Sequence, residues 1–180
     1  MRNWKAIIFD MDGTLFDTET ISMKAWKRVG ETLQLPTSDE FILSLIGRTR
    51  KDQQVVFDSY MSKDWPQEEA CSLHTQFKKE EKLKNGVPLM GDVKGLLDTV
   101  KAKGYTIAMA TSASAEDVEF NLNLSPQECL VVEDSLNGVR AAFGAGTTVV
   151  MIPDKVQPTK EIKAMCNYIL KSLDDLKEIV

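Results

Sequence analysis

Residues 5–19 read KAIIFDMDGTLFDTE, and this stretch decides the fold. A short apolar run ends abruptly at Asp10, a second carboxylate follows at Asp12, and Gly13 lets the chain turn. Because residues i and i+2 of a strand point to the same face, the two carboxylates begin as neighbours at the strand's carboxyl end. Adjacent carboxylates repel each other unless a cation or a shared proton relieves them. The stretch therefore predicts a buried strand that leads into a site for a cation and phosphate.

The composition is that of an ordinary globular protein, and it argues against several classes. Of the 180 residues, 43% are hydrophobic and 27% are charged, which is enough for one core and a modest second domain. No apolar run is long enough to span a bilayer and no signal peptide precedes the first strand, so we expect no membrane partner and a cytoplasmic location. The net charge of −5 gives no case for nucleic acid. The three cysteines match no metal or disulfide spacing, and nothing demands more than a monomer.

A block of helices separates the first strand from the others. Four helical patterns, with no convincing strand among them, fill residues 16–86. Beyond this block helices alternate with apolar strands, which are predicted at 105–110, 129–132 and 147–152. Strands that are apolar throughout indicate a parallel sheet covered on both faces. We therefore predict an α/β fold with a Rossmann-like parallel sheet core, 1–15 and 87–180, and a small all-helical cap, 16–86, inserted after the first strand.

Polar side chains follow the predicted strands, at the edge where such sheets bind ligands. They are Asp10 and Asp12 after the first strand, Thr111 and Ser112 after the second, and Glu133 and Asp134 after the third. Serine is also a common helix cap, and for Ser112 alone that interpretation is favoured. Four acids on one rim would destabilise the fold without a cation, and Mg²⁺ prefers hard oxygen ligands. The combination therefore predicts a Mg²⁺ site.

Three motifs carry these residues, and together they resemble the haloacid dehalogenase-like superfamily. They are DMDGTLFDTE at 10–19, ATSAS at 110–114 and VVEDSLNGVRAA at 131–142. With the position of the helical insertion, they are similar to the capped branch of phosphatases and β-phosphoglucomutases. The resemblance implies a Mg²⁺-dependent phosphatase that hydrolyses a small phosphorylated metabolite, a sugar phosphate among the candidates, through an aspartyl-phosphate. A phosphomutase of the β-phosphoglucomutase type and a catalytically impaired phosphate-binding protein remain as alternatives.

The same resemblance implies roles for individual residues. Asp10 would be the nucleophile, a role that carboxylates fill in other phosphoryl transfers. Asp12 would protonate the leaving oxygen and then deprotonate the attacking water. Mg²⁺ would be held by Asp10, the backbone carbonyl of Asp12, and Asp134, with Glu133 as a direct or water-mediated ligand.

The substrate would be bound by a second set of residues. Gly13, Thr111 and the amides near Ser112 would contact the phosphoryl group, and Thr18 would lie close to a hinge of the cap. Arg50 would contact a remote anionic group of the substrate, because its planar fork suits phosphate or carboxylate. A surface arginine at the start of a helix is the equal alternative.

Two departures from the family pattern bear on function. Ser22 stands where β-phosphoglucomutases resembling this chain carry a histidine, which favours the phosphatase. Relatives also carry a further strand and helix before the VVEDS motif, with a lysine that holds the nucleophile and phosphate; here no lysine lies between Lys103 and Lys155. Either the sequence lacks a segment of the natural protein, or the protein is a true deletion, or a distant lysine such as Lys155 substitutes. The first is favoured, because deleting an internal sheet element should unfold most domains.

Overall fold

A computed structural model describes residues 4–48, 50–110 and 123–180, and Arg50 by its backbone alone. The chain divides into two compact units. The core unit is Met1–Phe16 with Leu89–Val180, and the helical unit is Asp17–Pro88.

The described elements of the core unit alternate between strand and helix, and those of the helical unit are all α-helices. The helical unit contains α1 (Thr18–Leu33), α2 (Asp39–Leu45), α3 (Arg50–Tyr60) and α4 (Gln67–Asn85). The core unit contains β1 (Ala6–Phe9), α5 (Val93–Ala102), β2 (Thr106–Met109), a 3₁₀ turn (Pro126–Glu128), β3 (Cys129–Glu133), α6 (Leu136–Gly144), β4 (Thr148–Met151), α7 (Lys160–Met165), β5 (Tyr168–Ile169) and α8 (Leu173–Ile179).

Five strands of the core unit form one parallel sheet in the order β2-β1-β3-β4-β5. The predicted α/β class with a parallel sheet is confirmed, and β1 lies between β2 and β3. Ile8 of β1 is opposite Ala108 of β2 on one side and Val131 of β3 on the other. The short strand β5 lies beyond the last strand predicted from the sequence, at 147–152.

Strand β1 is apolar and is covered on both faces. Ile7 and Phe9 join one buried cluster with Leu96 of α5, while Ala6 and Ile8 join another with Cys129. All four residues of β1 are at most 1% exposed. The buried strand thus holds the following residue, Asp10, at a fixed place on the carboxyl edge of the sheet.

The helical unit has its own aromatic core. Trp26 of α1 packs edge-on against Phe41 of α2, and Phe57 of α3 completes the cluster. The Asp17 carboxylate accepts a hydrogen bond from the Thr20 amide at 3.1 Å and so begins α1. No helix in the described part of the chain is long and apolar enough to cross a membrane.

Candidate active site

The first and third strands of the core unit bring three carboxylates together. The Asp10 amide donates to the carbonyl of Val132 at 2.9 Å, so pairing with β3 continues one residue beyond β1. Glu133 and Asp134 follow Val132 directly. One carboxylate oxygen from each of Asp10, Glu133 and Asp134 lies within 4.8 Å of the others. Three of the four predicted acids therefore lie together at the carboxyl edge of the sheet.

Gly13 allows the first motif to pass close to Asp134. Its φ of +86° favours glycine, and a Cβ built there would lie only 2.8 Å from the Asp134 Cγ atom. The hydroxyl of Thr14 donates to Asp134 Oδ1 at 3.5 Å, and both side chains are buried. A larger residue at position 13 would displace Asp134 from the carboxylate cluster.

Glu133 is positioned by the start of α6. Its Oε2 atom accepts hydrogen bonds from the amide and the hydroxyl of Ser135, at 3.2 and 3.0 Å. The same hydroxyl accepts from the Gly138 amide at 3.0 Å and caps α6. A Cβ at Gly138 would overlap the Glu133 carboxylate. One serine therefore fixes both a helix end and a candidate metal ligand.

Two carboxylates of the cluster have raised pKa values. Burial, and next the charge of Asp12, raise the pKa of Asp10 to about 6, although the amides of Met11 and Asp12 favour its ionised form. Burial, and next the charge of Asp10, raise the pKa of Glu133 to about 7. Both shifts have the direction expected when charged carboxylates lose water and face one another. A bound cation would lower both pKa values.

The donor set suits a hard divalent cation. All the candidate ligands are carboxylate oxygens, which Mg²⁺ accepts together with water. Asp134 is 7% exposed, whereas Asp10 and Glu133 are half-buried, so the cluster opens to solvent on one side. Asp12, two residues beyond Asp10, is exposed. The cluster is thus compatible with a metal ion that retains water ligands.

Of the remaining predicted substrate-binding residues beyond Gly13, the structure describes the side chain of Thr18. Thr18 is buried at the start of α1, in the helical unit. Thr111, Ser112 and the Arg50 side chain lie outside the described residues. Their predicted contacts with substrate stay predictions.

The sequence interpretation did not identify the supporting contacts of Thr14, Ser135 and Gly138. Each belongs to a quoted motif, in DGT or in EDSLNG. The sequence signal for such a supporting contact was a small or hydroxyl-bearing residue within a few positions of a carboxylate. It did not indicate which carboxylate each one supports.

Comparison with known proteins identifies the family. The family model for haloacid dehalogenase-like hydrolases matches residues 7–125. A phosphorylated carbohydrates phosphatase of Thermotoga maritima is 27% identical over 180 aligned residues, which cover 79% of this chain and 82% of the relative. The crystal structure of CbbY from Rhodobacter sphaeroides in complex with phosphate is similar with a TM-score of 0.75 and 21% identity, covering 96% of each chain.

A third comparison shows that this chain is shorter than a relative inside the aligned region. The (DL)-glycerol-3-phosphatase 1 of Arabidopsis thaliana is 25% identical over 226 aligned positions, covering 95% of this chain and 71% of the relative. That alignment is longer than the 180-residue chain, so the relative carries residues that face gaps here. The family model match ends at residue 125, close to the place where the sequence predicted missing family elements. The motifs and the match agree on the assignment, and relatives named as phosphatases support the predicted class of phosphoric monoester hydrolase. The chain belongs to the haloacid dehalogenase-like hydrolase family.

Proposed function

We propose that the protein is a Mg²⁺-dependent phosphatase that hydrolyses a small phosphorylated metabolite through an aspartyl-phosphate on Asp10. The observation that carries the proposal is the convergence of Asp10, Glu133 and Asp134 oxygens within 4.8 Å at the carboxyl edge of the sheet. Family membership alone would leave the chemistry open, because one fold supports many reactions. The cluster shows where negative charge is concentrated in the core unit. Asp10 is the member of the cluster that lies two residues before the exposed Asp12.

Asp10, Glu133 and Asp134 would hold Mg²⁺, together with the backbone carbonyl of Asp12. When bound, the ion would supply positive charge that lets an anionic phosphate approach an anionic nucleophile. The raised pKa values of Asp10 and Glu133 support this assignment, because burial and then neighbouring negative charge disfavour the ionised carboxylates, and a cation would favour them. The Thr14 hydroxyl and the Ser135 hydroxyl keep two of the ligands in place.

The first half-reaction transfers the phosphoryl group to Asp10. A carboxylate oxygen of Asp10 forms a bond to phosphorus as the bond from phosphorus to the ester oxygen breaks. Asp12, in its protonated form, gives its proton to the departing oxygen, which leaves as an alcohol. Asp12 is exposed, whereas Asp10 is half-buried. This difference supports Asp12 as the proton donor and Asp10 as the nucleophile, since the departing group must leave towards solvent.

The second half-reaction releases inorganic phosphate. A water molecule attacks the phosphorus atom of the aspartyl-phosphate and loses a proton to the Asp12 carboxylate. The bond between phosphorus and the Asp10 oxygen breaks, so Asp10 returns as a carboxylate and Asp12 as an acid. The amides of Met11 and Asp12, which hydrogen-bond the Asp10 carboxylate, hold the nucleophile before and after the transfer.

The substrate is a small phosphorylated metabolite, with a sugar phosphate as the leading class. The Thermotoga maritima relative is named for phosphorylated carbohydrates and the Arabidopsis thaliana relative for glycerol 3-phosphate. The helical unit would act as the substrate cap, with Thr18 near its hinge and Arg50 contacting an anionic group. Gly13, Thr111 and Ser112 would bind the phosphoryl group. A monomer in the cytoplasm, with no nucleic acid or membrane partner, completes the proposal.

A phosphate-release screen over small phosphate esters, with and without Mg²⁺, tests the function. We expect release of inorganic phosphate that needs Mg²⁺ and is lost in Asp10→Asn. Product analysis separates the two active alternatives, because a phosphomutase would return an isomerised sugar phosphate. Release that persists in Asp10→Asn, or a folded wild-type protein that turns over no ester, would overturn the proposal.

A further inference from the structure

The turn that follows β1 holds the backbone of Asp12 and leaves its side chain in solvent. The amides of Leu15 and Phe16 donate to the Met11 carbonyl at 3.1 and 3.0 Å. The Gly13 amide donates to the Phe16 carbonyl at 2.8 Å, and Leu15 is buried in the core of the unit. The turn is thus anchored on its inner side, whereas the Asp12 side chain on its outer side is exposed.

The proposed reaction uses Asp12 twice at the same position. In the first half-reaction Asp12 gives a proton to the departing alcohol, and in the second it takes a proton from the attacking water. The first half-reaction run backwards is the attack of an alcohol on the aspartyl-phosphate, with Asp12 as the base. Because a reaction and its reverse pass through the same transition state, a site that expels an alcohol also accepts an alcohol as the nucleophile.

The difference in exposure between the two carboxylates determines which group can exchange with solution. Asp10, which would carry the phosphoryl group, is half-buried, and Asp134 beside it is 7% exposed. Asp12 is exposed, so the alcohol next to it can leave and another can enter while the phosphoryl group stays on Asp10. Exchange of one partner at a time is the kinetic behaviour expected of a covalent intermediate.

We propose that the protein is also a phosphotransferase, which passes the phosphoryl group from Asp10 to a hydroxyl of a separate small polyol. The polyol oxygen forms a bond to phosphorus as the bond from phosphorus to the Asp10 oxygen breaks. The hydroxyl proton goes to the Asp12 carboxylate, and Asp10 returns as a carboxylate, so no further reactant is needed. The inference rests on the proposed function, since it adds a second acceptor for the same aspartyl-phosphate.

The acceptor belongs to the same class as the alcohol that departs. The proposed substrates are sugar phosphates, so the departing alcohol carries several hydroxyl groups. Such an alcohol is held by the contacts that bound it as an ester, which raises its effective concentration at the phosphorus atom above that in solution. The acceptor is a separate molecule, so the products are the free donor alcohol and a new ester, whereas a phosphomutase returns an isomer of its substrate.

Counting the products from two phosphate donors in glycerol tests the inference. The donors are p-nitrophenyl phosphate and the best ester of the phosphate-release screen, each with Mg²⁺. At about 1 M glycerol we expect inorganic phosphate to fall at least about 10% below the released donor alcohol, with the difference recovered as glycerol phosphate by phosphorus NMR. The shortfall should be the same for both donors, because both form the same intermediate. Betaine, a solute without hydroxyl groups, is the control and should give equal amounts of the two products.

Asp12→Asn tests whether one base serves both acceptors. p-Nitrophenolate leaves without a proton, so this variant should still release one equivalent of it in a burst as the aspartyl-phosphate forms. Steady turnover should then be about 10²- to 10⁴-fold below wild type, and glycerol should not restore it. Turnover that glycerol does restore would show that the alcohol loses its proton elsewhere, and it would overturn the inference. Asp98→Asn, at an exposed position of α5, is the matched control and should partition between water and glycerol like wild type.

The two proposals fail in different ways. If wild type hydrolyses esters and the two products stay equal at every glycerol concentration, or the shortfall differs between the donors, the phosphatase stands and the transfer is refuted. If wild type forms glycerol phosphate yet releases no inorganic phosphate, the transfer stands and the phosphatase assignment is refuted. A wild-type protein that turns over neither donor would refute both.

Discussion

The Nε2 atom of His74 lies 3.1 Å from the hydroxyl oxygen of Ser22, in the helical unit. The imidazole also stacks on Trp26, with ring centroids 4.4 Å apart. The resemblance to β-phosphoglucomutases implied a histidine at the position of Ser22, and in this structure His74 of α4 contacts that serine. Burial, and next the positive charge of Lys78, lower the pKa of His74 to about 4. This histidine is therefore neutral at physiological pH.

The His74 shift predicts a loss of stability in acid. In the unfolded chain His74 binds a proton at its ordinary pKa of 6.5, whereas in the folded chain it binds one only at about pH 4. The unfolded state thus gains protons first, and stability falls as the pH drops from 6.5 towards 4, by about 3 kcal/mol at most. Denaturant unfolding of wild type and His74→Gln across this range measures it.

The difference between those two proteins isolates His74, because Asp10 and Glu133 titrate in both. We expect the advantage of wild type over His74→Gln to shrink as the pH falls. A difference that stays constant from pH 7 to pH 4 would contradict the assigned pKa.

Asp10→Asn should abolish phosphate release while the fold persists. It removes the attacking oxygen charge but keeps the side-chain volume. At pH 8 without Mg²⁺ we expect a higher Tm than in wild type, because the pKa of Asp10 is raised and its buried charge therefore opposes folding. Calorimetry in EDTA gives the Tm, and a phosphate assay gives the activity. A lower Tm would mean that the Asp10 charge stabilises the fold.

Magnesium should stabilise the protein more at high pH than at low pH. The pKa of Asp10 is raised to about 6 and that of Glu133 to about 7, so protons compete with the metal below these values. Without metal, the same shifts make stability fall as the pH rises through 6 and 7. Saturating Mg²⁺ should raise Tm by several degrees at pH 8 and much less at pH 5.

Asp134→Asn is the control for that experiment, since it removes one candidate ligand. Its Tm should respond weakly to Mg²⁺ at both pH values. An equal response of wild type at pH 5 and pH 8 would show that the metal binds away from these carboxylates.

Two glycines of α6 form a matched pair for testing the metal site. A Cβ at Gly138 would overlap the Glu133 carboxylate, whereas one at Gly144 meets nothing within 4 Å. Gly138→Ala should therefore weaken Mg²⁺ binding by about tenfold, in the range found for residues that support a metal ligand. Gly144→Ala should leave Mg²⁺ binding unchanged and stabilise the helix by up to about 1 kcal/mol. Calorimetric titration with Mg²⁺ measures the first effect, and equal affinities in both variants would contradict it.

The sequence motif contained enough information to predict β1 and the convergence of the three acids. The apolar run before Asp10 predicted a strand covered on both faces, and Ile7 and Phe9 are indeed buried in one cluster and Ile8 in another. The same rules placed Glu133 and Asp134 at the carboxyl edge, after the strand predicted at 129–132. These features depend on local pattern and on the rules of parallel sheets.

Other features depend on contacts between distant residues and could not be predicted. The strand β5 has only two residues, Tyr168 and Ile169, and exists because they pair with Val150 and Met151 of β4. The ion pair of Lys155 with Asp154, in which the lysine side chain is 24% exposed, forms in the segment that follows β4. A linear pattern identifies the residue types at these positions and leaves their burial undetermined.

The hydrogen bonds of Ser135 couple ligand binding at the candidate metal site to local unfolding at the start of α6. Its hydroxyl donates to Glu133 and accepts from Gly138, so the helix end cannot fray without releasing the carboxylate. A ligand that immobilises Glu133 therefore also protects the first turn of α6. Amide hydrogen exchange at Gly138 should slow when the site is filled. Binding of a ligand at the carboxyl edge of the sheet can therefore be followed by the hydrogen exchange of a backbone amide in α6.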